Sequence, residues 1–192
     1  MDVDRIAAAS KAAPVGALAA REARWARRLE LAQAMGAGRV LFTLTLRMPA
    51  PLRASGAYDD RARRLLEDLA AATKAAGMGA AAVEFRVGAD GPEGYIAAAG
   101  ESRAAKELAV RFEERHPWGE LADVDVMRPD GVAIGRGELG LPSRACLVCG
   151  AEAALCVVGK AHSLEELSAK IEEILARPLG PVPEEGARCA RR

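Results

Sequence analysis

The sequence predicts an α+β fold: one mostly antiparallel sheet with helices packed on one face, then a Cys-rich segment and a final helix. The middle has the order of a split β-α-β sandwich, of the ferredoxin-like or nucleotidyltransferase-like kind. Three observations predict it. Strand and helix periodicities alternate as β-α-β-β-α-β-β through the centre of the chain. Gly/Pro/Asp turns at Gly88–Gly94 and Arg128–Gly131 join neighbouring strands directly. Three of the four cysteines crowd between Cys146 and Cys156, after the last predicted strand.

The elements follow in order. Residues 1–16 read as a loose, flexible arm. Leu18 to Met35 is rich in Ala, Arg, Leu and Glu and predicts a helix ended by Gly36 and Gly38. Val40 to Met48 alternates and is rich in β-formers, a strand stopped by Pro49 and Pro51. Asp59 to Ala76 is a helix with Leu65, Leu69 and Ala72 on one stripe. Ala81 to Val87 and Tyr95 to Ala99 are strands around a Gly-rich loop. Ser102 caps a helix through Arg115, with Ala105, Leu108, Ala109 and Phe112 toward the core. Leu121 to Met127 and Val132 to Glu138 are the fourth and fifth strands. Pro142 to Gly159 is irregular, and Leu155 to Val158 within it has strand character. Ser163-Leu-Glu-Glu166 is a capping box that opens the last helix, ended by Pro178. Residues 178–192 form a Pro/Gly/charged flexible tail, in which Cys189 is incidental. The 192 residues hold one core and one domain, at 17–177.

Composition excludes several function classes. Lys plus Arg and Asp plus Glu both number 27, so no global basic field holds a nucleic-acid backbone. No apolar run approaches the ~18 residues of a membrane span. The N-terminus starts acidic and lacks a sustained apolar segment, a poor signal peptide. The clustered cysteines do not resemble a disulfide framework. Together these predict a cytoplasmic protein.

The strand before Arg128 carries two aspartates. Side chains alternate faces along a strand, so Leu121, Asp123, Asp125 and Met127 share one face. Ala122, Val124 and Val126 share the other, which suits the core. The two carboxylates lie roughly 7 Å apart by strand rise. A divalent cation, with oxygens at about 2.1 Å, bridges such a pair if the side chains lean together. That arrangement suits phosphoryl or nucleotidyl transfer. A solvated strand face beside a D-G turn is the alternative, since D-x-D alone is a weak signal. His116, at the end of the preceding helix, is either a phosphate ligand or a helix cap.

Cys146-x2-Cys149-x6-Cys156-x5-His162 has the ligand types and spacing of a small zinc knuckle. The alternative is small buried hydrophobes with a capping histidine. Arg21, Glu22, Arg24, Arg27 and Arg28 form a dense charged run. Such runs are ordinarily solvated, yet Arg21, Arg24 and Arg28 share a stripe able to meet an anion. Arg136 and Arg144, with Lys160, are further candidates for phosphate contacts. Gly91-Pro92-Glu93-Gly94 reads as a hairpin loop and lacks the Gly-Lys-Ser/Thr of a P-loop.

Taken together, several segments resemble one family. They are REAR (Arg21–Arg24), LFTLTLRMPAP (Leu41–Pro51), GPEG (Gly91–Gly94), HPWGELADVDV (His116–Val126), RPDG, and LPSRACLVCG…C…GKAH (Leu141–His162). The chain resembles apo-citrate lyase phosphoribosyl-dephospho-CoA transferases over roughly residues 20–177. The resemblance implies a nucleotidyltransferase that moves the prosthetic group of triphosphoribosyl-dephospho-CoA to a serine of the citrate lyase acyl-carrier subunit. Pyrophosphate is released, and Mg²⁺ (or Mn²⁺) is the cofactor. It implies Asp123 and Asp125 as metal ligands and Arg21, Arg24, Arg136 and Arg144 as phosphate contacts. His116 would position a phosphate or the acceptor serine, and Glu138 would be a third carboxylate. Two positions depart from the family pattern: Glu120 and Val158 stand where arginines are usual. A transferase serving the malonate decarboxylase carrier, and a non-catalytic zinc-stabilised protein-binding module, are the alternatives.

Overall fold

Along β1 (Arg39–Leu46) Val40, Phe42, Leu44 and Leu46 alternate with Leu41, Thr43 and Thr45, and Val40 through Leu46 are all buried. A strand buried on both faces belongs at the centre of a sheet, and the computed structural model, which describes residues 14–179, puts it there. β2 (Ala80–Gly88), β3 (Gly91–Ala99), β4 (Ala122–Met127) and the short β5 (Ala133–Ile134) complete the order β2-β3-β1-β4-β5. Every pairing is antiparallel. The first four strands and their two crossover helices form the split β-α-β arrangement that the sequence predicts.

Helices α3 (Asp59–Ala75) and α4 (Ser102–Arg115) cover one face of this sheet. Leu65, Leu66 and Leu69 from α3 meet Ala105, Leu108, Ala109 and Phe112 from α4 over Phe42, Ile96, Val124 and Val126. The last helix, α6 (Leu164–Leu175), adds Ile171 and Ile174 to that core. Its capping box forms as expected: Ser163 Oγ accepts from the Glu166 N–H at 3.1 Å, and Glu166 Oε2 accepts from the Ser163 N–H at 2.7 Å. The other face is covered in part by α1 (Pro14–Ala34), whose Leu29 and Ala32, with Met35 just beyond, pack on Leu41, Tyr95 and Met127.

Several boundaries differ from the sequence expectation. The first helix begins at Pro14, inside the expected arm; residues 1–13 and 180–192, with Cys189, lie outside the described residues. The segment Gly91–Gly94 is not a loop: it is the first half of β3, and only Ala89 and Asp90 lie between the strands. The fifth strand shrinks to two residues because Glu138 folds back to accept from the Gly135 N–H, which winds Arg136–Leu139 into a 3-10 turn. Leu121 ends a 3-10 turn, Gly119–Leu121, just before β4. Ser102 opens α4 without a side-chain cap, Glu101 holding the cap position. Leu155 to Val158 is helical, in the short α5 (Ala153–Val158). Pro51 falls in α2 (Ala50–Arg53), a single turn led in by Pro49.

Because β5 reaches only Val126 and Met127, the remaining edge of β4 is closed by side chains. The Val124 N–H donates to Glu113 Oε1 at 2.9 Å, and Lys106 Nζ donates to the Val124 carbonyl at 3.0 Å. Arg144 donates to the Ala122 carbonyl at 2.8 Å. Buried Glu113 and Lys106 thus take the place of a neighbouring strand. The helix α4 reaches β4 through a turn that Gly119 allows. A Cβ there would stand 2.5 Å from the carbonyl oxygens of Phe112 and Glu113, which are backbone and cannot swing aside. Gly119→Ala should therefore destabilise the protein by about 3 kcal/mol, the upper part of the overpacking range, in urea unfolding. Loss of less than about 1 kcal/mol would show that the turn relaxes freely.

Candidate active site

The register of the sheet decides which polar side chains meet. Thr45 of β1 lies between Glu93 of β3 and Asp123 of β4, and Thr43 lies between Tyr95 and Asp125. All six point to the face away from α3 and α4, since Phe42, Ile96, Val124 and Val126 occupy the core face. Asp123 and Asp125 therefore share a face, as the alternation predicts. Glu93 lies on that face as well, opposite Thr45, and so does Glu84 of β2, opposite Tyr95. Glu138, the residue suggested by sequence, instead accepts from Arg128 at 2.7 Å and from the Gly135 N–H.

A cleft of about 690 Å³ opens over the aspartates. Asp123 and Asp125 form its floor, with side chains 47% and 43% exposed toward it. Arg21, Arg24 and Arg28 enter from α1, Arg47 and Arg53 from the segment after β1, and Lys160 from the Cys-rich segment. Arg28 spans two acids, donating to Glu93 Oε1 at 2.7 Å and Asp125 Oδ2 at 3.1 Å. Arg144 pairs with Glu113 and stands 3.4 Å from Asp123 Oδ1. Burial, with Arg47 beside it, brings the Arg144 guanidinium down to about 10, which leaves it charged at neutral pH. Burial and then the neighbouring Asp125 push the Asp123 carboxyl above the usual carboxylate range; Arg28, Lys106 and Arg47 oppose this without cancelling it. Two carboxylates that repel each other at the floor of a cationic cleft fit a divalent cation, which relieves the repulsion and needs only one or two protein carboxylates.

Not every sequence candidate reaches the cleft. His116 lies on the helix side of the sheet, 4% exposed and stacked on Phe112 with ring centroids 4.8 Å apart. Its Nδ1 accepts from the Trp118 N–H at 3.1 Å, so Nε2 carries the proton and donates to Asp68 Oδ2 at 3.1 Å. Both nitrogens are used, which leaves none to hold a phosphate. Arg136 is likewise spent on Glu113, Glu114 and the Pro142 carbonyl, away from the cleft. Glu120 pairs with Arg177 of the chain after α6 and does not line the cleft, although its charge acts on Arg47 there. Val158 is exposed.

Sequence reasoning passed over Arg47, Arg53, Asp90 and Glu93. Glu93 was within reach: extending the alternation of β3 back from Tyr95 puts it on the same face. Arg47 and Arg53 carry no local pattern.

The Cys-rich segment forms the opposite wall. The ligand atoms of Cys146, Cys149, Cys156 and His162 all lie within 4.8 Å of one another, a group that could hold a metal ion. His162 Nε2 is buried without a hydrogen-bond partner, and Cys149 Sγ sits 3.5 Å from Cys156 Sγ. Gly150, with φ 74°, turns the knuckle so that its N–H meets the Cys146 carbonyl at 3.1 Å. Burial raises the Cys146 thiol, but the N–H groups of Cys149 and Val148 outweigh it and bring it down to about 6. Cys156, beside the Cys149 sulfur, goes up to about 12. Tetrahedral Cys3His sites take this donor set, and N–H groups aimed at sulfur stabilise its thiolate form.

Comparison with known proteins places the chain among relatives of one name. A family model described as apo-citrate lyase phosphoribosyl-dephospho-CoA transferase matches residues 16–177. A curated relative of that name from Citrobacter koseri is 34% identical over 139 residues, 70% of this chain and 74% of that protein. Relatives of the same name from Escherichia coli O139:H28 and Shigella boydii serotype 18 are each 40% identical over 89 residues, 46% of this chain and about half (49%) of theirs. Among the described residues no helix is long and apolar enough to cross a membrane.

The His116 geometry has a pH consequence. Burial lowers its pKa in the fold, although Asp68 pulls the other way. The unfolded chain takes up that proton near pH 6.5, the folded one only at lower pH. Stability therefore falls as pH drops below about 6.5. His116→Phe keeps the stacking but leaves the Trp118 N–H unpaired and Asp68 with Arg64 alone. It should cost about 1–3 kcal/mol at pH 8 and less at pH 5, in denaturant titrations at both pH values. An equal cost at both would show that His116 does not titrate on unfolding.

Proposed function

The chain belongs to the apo-citrate lyase phosphoribosyl-dephospho-CoA transferase family, and we propose that its cleft transfers phosphoribosyl-dephospho-CoA from the triphosphoribosyl form to a serine of an acyl-carrier subunit. The observation that carries this reading is the meeting of Asp123 and Asp125 with arginines from separate parts of the chain in one cleft. The reaction makes one P–O bond and breaks another. The serine oxygen attacks the innermost phosphorus of the triphosphate, pyrophosphate leaves, and the hydroxyl proton is lost to solvent. A nucleotidyl transfer of this kind needs little covalent chemistry from the protein and much positioning and charge neutralisation.

The residues divide the work by position. Asp123 and Asp125 would hold Mg²⁺ (or Mn²⁺), which when bound neutralises phosphate charge and stabilises the attacking and leaving oxygens. Arg21, Arg24, Arg28, Arg47 and Arg53 hold the phosphates above them. Arg144, fixed on Glu113 and the Ala122 carbonyl, keeps Asp123 in place. Thr45 and the aliphatic residues Leu147 and Val157 narrow the cleft around the reacting groups. Cys146, Cys149, Cys156 and His162 hold a structural Zn²⁺ that keeps the far wall folded. Reduced thiols of this kind suit the cytoplasm. One domain, at 17–177, carries all of these groups.

Two measurements test this. The carrier subunit incubated with enzyme, Mg²⁺ and triphosphoribosyl-dephospho-CoA should gain the mass of the prosthetic group. Asp123→Asn, still folded, should slow that gain by at least about 100-fold. An unmodified carrier, or an unaffected variant, would reject the assignment. For the knuckle, elemental analysis of protein purified without chelators should give one zinc per chain, and Cys149→Ser should lose it. Substoichiometric zinc would return these residues to a packing role.

A further inference from the structure

Asp90 is an acid where a polyanion site has least use for one. Its side chain is 1% exposed at the β2–β3 turn, and it borders the cleft that holds the arginines. Three guanidiniums converge on it from two elements. Arg24 of α1 donates to Oδ2 at 2.7 Å, and Arg21 Nε lies 3.6 Å from the same oxygen. Arg53, at the end of α2, donates to Oδ1 at 2.7 Å and through Nε to the Asp90 carbonyl at 2.8 Å. Glu93, three residues on, takes Arg24 Nε at 3.3 Å and Arg28 Nε at 2.7 Å. Burial raises the Asp90 carboxyl, but Arg53 and then Arg24 and Arg21 more than cancel this, so it stays ionised.

The backbone beside it is shaped for the same purpose. Gly91, with φ 100°, lies directly under Arg53: a Cβ there would stand 2.5 Å from Arg53 Cγ and from the Arg53 carbonyl oxygen. A side chain at position 91 would lift Arg53 off Asp90. The bonds described leave donors over. Arg21 touches Asp90 through Nε alone, and Arg24 through NH2, so Arg21's two terminal nitrogens and Arg24 NH1 can face a ligand. A free arginine side chain samples many rotamers, and fixing it in advance removes that entropy from the cost of binding.

We propose that Asp90 is a positioning residue that, with Gly91, gathers Arg21, Arg24 and Arg53 into one preorganised rim for the polyphosphate of the substrate. The inference rests on the transferase reading of the cleft. It makes a prediction opposite in sign to simple charge counting. Removing a negative charge beside a polyanion site should tighten binding if Asp90 merely sits there; loss of positioning should weaken it.

The test is calorimetric titration of the full chain with inorganic tripolyphosphate, beside steady-state transfer kinetics. Asp90→Asn should weaken tripolyphosphate binding by about 10-fold, the size of one charge-assisted hydrogen bond. It should raise KM for the triphosphate substrate with little change in kcat. Gly91→Ala, which alters no charge, should do the same. Equal or tighter binding by folded Asp90→Asn would overturn the proposal. If that variant does not fold, Arg53→Lys decides: it keeps the charge and loses the two-point grip on Asp90, and unchanged binding would overturn the proposal as well. Wild-type protein that fails to bind tripolyphosphate would remove the transferase reading and this inference together, whereas indifferent variants of a binding wild type remove this inference alone.

Discussion

The cleft depends on one constraint: a cation near a protein interior must have its counter-charge in place before any ligand arrives. Buried carboxylates hold most of the guanidiniums in and beside the cleft; Arg47 instead donates to the Ala145 carbonyl. Glu113 holds Arg144, Glu93 holds Arg28 and Arg24, and Asp90 holds Arg24, Arg53 and, at longer range, Arg21. These acids are 1–6% exposed in their side chains, so losing one would strand buried charge. The pairs that Glu93 and Asp90 make with Arg21, Arg24 and Arg28 also tie α1 to the sheet, on a face where the apolar contact is limited to a few residues around Leu41 and Met127. The cationic lining of the cleft and the docking of α1 thus share one set of bonds.

The sheet supplies the second half of the arrangement. Its core face is continuous and apolar, built from Phe42, Leu44, Ile96, Val124 and Val126 under two amphipathic helices. That face fixes the register, because a slip of one residue would bury Asp123 and Asp125 and expose their valine neighbours. The aspartate pair is therefore held in place by hydrophobic packing on the opposite side of the strand. Short polar contacts close the edge of β4, where Glu113 and Lys106 stand in for a missing strand. Glu113 also anchors Arg144, so the edge and the cleft are joined through one buried carboxylate.

How much of this was legible varies by residue. Asp123 and Asp125 were, because a period of two is a local property and an aspartate on a strand keeps its face. The Cys3His cluster was, because its members are close in sequence. His116 was misplaced: its block adjoins β4, but α4 ends on the helix side, where Phe112 and Asp68 enclose it. Arg136 met the same fate through Glu113 and Glu114. Glu93 was hidden by its glycines, which suggest a turn. They serve instead to admit neighbours. Gly91 lies beneath Arg53, and Gly94 lies beneath Leu66, whose nearer methyl would stand 2.5 Å from any Cβ at that position.

The amino-acid sequence by itself determined most of the elements, their order, the two-faced character of β4 and the close spacing of the cysteines and His162. Each follows from interactions between residues near in the chain: helical and strand periods, caps, turns and short loops. Tertiary structure alone decided which cations share a cleft with the aspartates. That choice depends on strand order and on pairs such as Arg28 with Asp125 and Arg53 with Asp90, separated by 97 and 37 residues. An arginine carries no periodic signal of its partner, since its long side chain can reach an acid on any neighbouring element. Only the folded sheet, by bringing β3 and β4 to either side of β1, sets which acid that is.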